Sequence, residues 1–167
     1  MNIFLKMFAW MGAGLLLLSL LSCTAPGMVA DTNVSDEKQD RQTDETQMPS
    51  EIQINISGKT LPVKIEDNAA TRALLDALRN GAITYEADDY GGFEKVGNLG
   101  FSLPASNSQI TTQPGDVILY NGNNIVLFYG SNSWSYTRIG KIQYSTQEQL
   151  KSFLKAGQGE INVVLSL

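Results

Sequence analysis

The 167-residue sequence contains no histidine and only one cysteine. Without imidazole there is no Ser-His-Asp or Cys-His nucleophile, no His-ligated zinc and no imidazole general base. A single thiol forms no intramolecular disulfide. Bases are scarce, 12 against 17 acids, which disfavours a nucleic-acid surface, so no nucleic-acid partner is expected. The sequence has no Gly-rich phosphate cradle, no dinucleotide fingerprint and no cluster at metal-ligand spacing. No cofactor and no metal are therefore expected. What is present is a 43% hydrophobic composition, enough for the core of one domain.

The first strong signal lies at the amino terminus. Lys6 is the only charged side chain before Asp31, and Met7 to Leu21 is an apolar run broken only by Gly and Ser. A comfortable membrane span needs about 20 apolar residues, so this run is short for an anchor helix and right for the core of an export signal. It ends in Leu20-Leu21-Ser22-Cys23, which resembles a bacterial lipobox. That resemblance implies that residues 1–22 are a signal peptide cut before Cys23. The thiol would carry diacylglycerol, and the new amino terminus a fatty acyl group such as palmitate. Acyl chains contribute about 0.8 kcal/mol per buried CH₂, so several of them hold a domain on a membrane almost irreversibly. The expected location is the cell envelope, outside the cytoplasm, with the membrane itself as a partner. The alternative is an uncleaved anchor helix with an incidental Cys. Thr24, in place of an Asp after the Cys, favours the outer membrane if there are two.

Residues 24–50 show no apolar periodicity and hold six acids against two bases. Met28, Val29, Val34 and Met48 are too few to offset the entropy of ordering this stretch. Residues 23–50 therefore read as a disordered, self-repelling acidic tether, with an acidic recognition tail as the alternative.

From Glu51 the pattern changes. Ile52, Ile54 and Ile56 alternate with polar residues, and Leu61, Val63 and Ile65 do so after the Ser57-Gly58-Lys59 turn, which predicts a hairpin. Asn68 is the expected N-cap of a helix carrying Ala70, Leu74 and Leu78, closed by Asn80-Gly81. A strand over 83–87, a turn over 88–92 and a broken strand over 93–101 follow. Residues 102–113 read as a long polar loop. Val117 to Tyr120 and Ile125 to Tyr129 are continuous apolar runs, which predicts a hairpin buried on both sides. A strand over 136–144, a helix capped near Thr146 and a last strand over 161–167 complete the domain, residues 51–167. The fold class is mainly β: a closed antiparallel barrel of about eight strands with two helices, one covering each open end.

Several stretches resemble the bacterial cyclophilin-like fold family, a group of small domains of largely unassigned function. They are Ile54-Asn55-Ile56-Ser57-Gly58-Lys59, Glu66-Asp67-Asn68-Ala69-Ala70-Thr71-Arg72-Ala73-Leu74-Leu75, Glu94-Lys95-Val96-Gly97, Phe101-Ser102-Leu103-Pro104, Gln113-Pro114-Gly115-Asp116-Val117-Ile118-Leu119-Tyr120 and Ser135-Tyr136-Thr137-Arg138-Ile139-Gly140-Lys141-Ile142. The resemblance implies the barrel. It does not carry prolyl isomerase activity, because the Phe-His-Arg segment of true cyclophilins is missing.

The expected ligand-binding residues are Arg138, Tyr136, Trp134, Phe101, Tyr120 and Glu94. Arg138, if it faces the barrel mouth, offers a forked donor to a carboxylate, phosphate or peptide carbonyl; otherwise it pairs with Glu94, Asp116 or another acid. Glu94, if desolvated, becomes a proton acceptor; otherwise it forms a solvated strand-edge pair with Lys95. Asp88, Asp89 and Glu94 supply hard oxygens near one turn, but at no calcium-loop spacing. The aromatics serve as core or line a pocket at the barrel end, rimmed by loops 102–113 and 130–135. Three functions stay open: a module that binds a peptide or small molecule, a prolyl isomerase-like enzyme, and an envelope lipoprotein that docks onto another protein.

Overall fold

The computed structural model describes residues 48–167. The expected signal peptide, Cys23 and all but the last three residues of the expected tether lie outside the described residues.

Strands β1 (Glu51–Ile56) and β2 (Lys59–Ile65) form the expected hairpin. Its turn residues Ser57 and Gly58 both have positive φ, 51° and 78°. That geometry matches the right-handed twist of the paired strands. Helix α1 (Ala69–Arg79) begins at Asn68, whose Oδ1 accepts from the Thr71 backbone N–H at 3.0 Å. There follow β3 (Ile83–Tyr90), β4 (Glu94–Asn98), β5 (Ser108–Thr111), β6 (Asp116–Tyr120), β7 (Asn124–Phe128) and β8 (Ser133–Ile142). Helix α2 (Gln147–Phe153), capped by Thr146, and β9 (Ile161–Ser166) complete the domain.

Eight strands run antiparallel in the order β2-β1-β9-β3-β4-β7-β6-β8, and β8 pairs back onto β2, closing a barrel. The closing seam is tight. A Cβ on Gly140 of β8 would strike the Lys64 carbonyl oxygen and lie 2.9 Å from the Ile65 Cα, so only glycine lets the two backbones meet there. Strand β5 is an extra strand outside the closed circle and pairs only with the first half of β8.

Three local expectations are corrected. Strand β3 runs on to Tyr90 because Asp88, Asp89 and Tyr90 pair with Val96, Lys95 and Glu94. The turn is shorter than expected and uses Gly91 and Gly92, at φ 62° and 76°. The stretch 102–113 is not all loop: Ile110 packs partly buried on the wall and Thr112 is fully buried, so β5 forms within it. Strand β8 starts at Ser133, where β5 supplies its hydrogen-bonding partner.

Residues from every closed strand except β4, together with both helices, meet in one interior cluster. It holds Ile54, Val63, Leu74, Tyr85, Leu119, Leu127, Ile139, Leu150 and Leu165. A second, smaller cluster consists of Ile118, Val126, Phe128 and Tyr136, with Phe93, Val96, Ile110 and Tyr120 packed against it. In β6 and β7 the two clusters alternate residue by residue: Val117 and Leu119 against Ile118, Ile125 and Leu127 against Val126 and Phe128. Successive strand side chains point to opposite faces. The second cluster therefore lies on the outside of the barrel wall formed by β4, β7, β6 and β8. The two continuous apolar runs are buried on both sides, as their composition required.

Candidate functional site on the outer barrel wall

The outer cluster does not fill its face. Beside it lies a cavity of about 380 Å³ lined by Tyr90, Glu94, Val96, Tyr120, Val126, Asn132, Trp134 and Tyr136. The pleat explains the set. Glu94 and Val96 leave β4 on the outer face, Val126 leaves β7, Tyr120 ends β6, and Trp134 and Tyr136 leave β8 two residues apart. Tyr90 sits across the β3–β4 ladder from Glu94.

The rings hold one another. Tyr136 meets Tyr120 and Phe128 edge-on, each at a centroid separation of 5.9 Å, and Phe93 stacks on Phe128 at 6.3 Å. Asn132 donates to the Tyr136 hydroxyl at 3.0 Å, and its backbone is clamped by Thr112 through bonds of 2.8, 2.9 and 3.0 Å. The cavity floor is therefore braced, whereas Tyr90 and Trp134 stand 66% and 56% exposed at the sides.

Glu94 is the one charged residue in this lining. It is only 5% exposed, and its Oε2 is buried with no hydrogen-bonding partner. Burial pushes its carboxyl up from 4.5 to about 7. Burial raises Tyr136 as well, and the Glu94 charge adds to the effect.

The next residue behaves in the opposite way. Lys95 is fully buried on the inner side of β4, with Nζ 2.8 Å from Asp89 and donating to the Gly159 carbonyl. Asp89 also accepts from the Tyr129 hydroxyl and from the Gly159 N–H, both at 2.9 Å. Desolvation pushes Asp89 up, but hydrogen bonds from Lys95, the Gly157 and Gly159 backbone and Tyr129 outweigh it and hold the carboxyl at about 2. The expected Glu94–Lys95 surface pair is thus replaced by a buried Asp89–Lys95 pair across the β3–β4 ladder. Asp89 and Glu94 point to opposite faces and share no ligand position. Among the described residues no group of three acids, Cys or His stands ready for a metal.

Four of the six expected ligand residues come together here: Glu94, Tyr120, Trp134 and Tyr136. The other two do not. Phe101 lies in the bend after β4, away from the lining. Arg138 follows Tyr136 on β8 but turns to the acids. Its Nη1 is 2.6 Å from Asp116, itself 1% exposed, and its Nε is 3.4 Å from Glu66. Asp116 also accepts from the Gln113 N–H at 2.9 Å and faces Lys141 at 3.6 Å. Asp116 is one of the alternative acid partners that the sequence offers Arg138, and the β6–β8 pairing selects it. The cavity also lies on the wall, not at a barrel end. Of the two expected rim segments, 130–135 contributes Asn132 and Trp134, and 102–113 contributes no lining residue. Tyr90, Val96, Val126 and Asn132 complete the lining beyond the expected ligand residues, Tyr90 because β3 runs on to it.

A closed antiparallel barrel of eight strands with one extra strand and two helices defines the fold class. The family model of the Cyclophilin-like family matches residues 54–166, and the chain belongs to that family. Among curated proteins none matches. Of solved structures, the hypothetical protein AF2241 from Archaeoglobus fulgidus is similar at 17% identity and a TM-score of 0.49. That match covers 70% of this chain and 93% of the other. McbB in complex with tryptophan is similar at 13% identity and a TM-score of 0.46, covering 69% of this chain and 44% of the other.

The isolated Glu94 carboxyl sets a pH signature. The folded chain keeps its proton where the unfolded chain has lost it. This group's contribution to stability is therefore best below about pH 4.5 and falls as pH rises to about 7. The total loss is roughly 3 kcal/mol. Glu94→Gln is expected to remove that decline. Denaturant melts should then show the variant more stable than the parent near pH 8 and close to it near pH 4, whereas parallel curves would refute the assignment.

Proposed function

We propose that this protein is a lipid-anchored binding module that presents a small-ligand or peptide site on the outer wall of its barrel. The observation that carries the ligand reading is the buried, unpartnered Oε2 of Glu94 beside an open aromatic cavity. More than nine-tenths of buried polar groups in folded proteins have a partner. A carboxyl held apolar and unpaired costs stability and is kept where something else supplies the partner. Exposed Tyr90 and Trp134 at the same opening add apolar area that a guest would cover.

The anchoring half of the reading rests on the lipobox-like Leu20-Leu21-Ser22-Cys23 and on Cys23 being the sole thiol. An acylated Cys23 would hold the domain at a membrane of the bacterial envelope, outside the cytoplasm. No covalent chemistry by the domain is required. Arg138 is engaged by Asp116 and Glu66 and stands outside the aromatic lining, so it offers the cavity no donor of the kind isomerisation would need.

A thermal-shift screen of short peptides and small molecules tests the binding half. A ligand at 100 times its Kd adds roughly 2.7 kcal/mol, and Trp134→Ala should abolish most of that shift. A screen without a single Trp134-dependent shift would leave docking onto another protein as the better reading. Metabolic labelling with a fatty acid tests the anchor. Label is expected on the parent chain and none on Cys23→Ala; an unlabelled parent contradicts anchoring.

A further inference from the structure

We propose that the wall cavity takes an organic ammonium cation, with methylated nitrogen, whose charge is met by Glu94 and by the faces of Tyr90, Tyr120, Trp134 and Tyr136. The inference rests on the reading of the cavity as a ligand site and names its chemistry.

Charge is the first argument. The lining carries one ionisable acid and no base. Its acid is 5% exposed, so a bound cation would meet a carboxylate poorly screened by water. An anionic guest would face that same carboxylate with no Lys or Arg to receive it.

Ring geometry is the second. Tyr120 and Tyr136 meet edge-on at 71°, and Tyr90 and Trp134 line the same cavity. The negative faces of such rings attract cations, Trp most strongly. Three tyrosines and a tryptophan around one carboxylate favour a cation over a neutral guest of equal size.

The supply of acceptors is the third. A primary ammonium carries three N–H donors that all need partners. The polar side chains here are Glu94, Asn132 and tyrosine hydroxyls. Asn132 is already committed, accepting from the Ser133 N–H at 2.8 Å and donating to Tyr136. A fully methylated nitrogen has no N–H and needs no acceptors, only a carboxylate and aromatic faces. A divalent metal is disfavoured because one carboxylate is too few hard oxygen ligands.

Titration gives the idea a second readout. Besides Glu94, the titratable groups facing the site are Tyr90 at the end of β3, Tyr120 on β6 and Tyr136 on β8; Tyr129, just after β7, lies in the interior cluster with its hydroxyl on Asp89. On Glu94's own strand, Lys95 leaves by the other face to Asp89. Tyr129 is pushed up to about 12 by burial, then by Asp89 and Glu94, and Tyr136 is raised too, so neither ionises near neutrality. Cation binding should therefore tighten as Glu94 loses its proton.

Isothermal titration of the full chain with choline, and with the neutral isostere bearing a tert-butyl group in place of trimethylammonium, decides the matter. Choline is expected to bind about tenfold or more tightly than the isostere, given the carboxylate and the rings. Its affinity should rise by about tenfold from about pH 5.5 to about pH 8.5, and the isostere's should stay flat. Glu94→Gln should erase both the preference and the pH dependence. Trp134→Ala, at an exposed position that leaves folding intact, should weaken choline while keeping the pH dependence. Equal affinity for choline and isostere would overturn the cation assignment and leave the binding-module reading standing. Failure of both to bind would overturn the cation assignment too, and the wider ligand screen would then decide the module.

Discussion

Every feature of the site depends on one wall of the barrel being apolar on both faces. Strands β6 and β7 have no polar side to turn toward water, so their outer residues must be covered as thoroughly as their inner ones. β5 and the Phe93 turn cover part of that face, and the rings of Tyr120 and Tyr136 cover more. The remainder stays open as the cavity. A carboxyl placed on such a surface loses its water without gaining a partner, which is how Glu94 comes to be both buried and unpaired.

Glu94 and Lys95 show how one residue's step in a strand decides chemistry. The pleat sends Lys95 inward, where Asp89 waits directly across the ladder and Gly159 offers a carbonyl. It sends Glu94 outward, where its neighbours are rings and Val96. A buried pair that satisfies both partners holds its charges; a buried acid with none is biased toward neutrality. Neutrality within the wall, reversible near physiological pH, is a property that a surface carboxylate does not have.

Much of this was legible in the chain. The period-two alternation of Ile52, Ile54 and Ile56, the Asn68 cap and the unbroken apolar runs after Asp116 specify strands, helix and a two-sided wall by local rules alone. The family stretches pointed to the barrel, and the family match over residues 54–166 agrees. Four of six expected ligand residues share one cavity because all four sit on strands whose parity puts them outside. The rest depended on long-range register. The sequence offers Arg138 a choice among Glu94, Asp116 and other acids; the offset of β6 against β8, bulge included, selects Asp116. Lys95 reads as a surface partner of Glu94 because charges beside a Gly-Gly turn are usually solvated; only the β3–β4 register sets it against Asp89. β5 hid in a polar stretch because its pairing comes from β8, not from its own composition.

The burial of the Glu94 carboxyl on the outer wall, with Oε2 lacking a partner, is open to direct measurement. Carbon-detected NMR of the labelled Glu94 side-chain carboxyl across pH, in the ligand-free chain, reads its titration by itself. A midpoint near the value of about 7 that burial imposes is expected. A midpoint at the ordinary glutamate value of about 4.3 would mean that water or a partner reaches the group, and the site described here would lose its defining property.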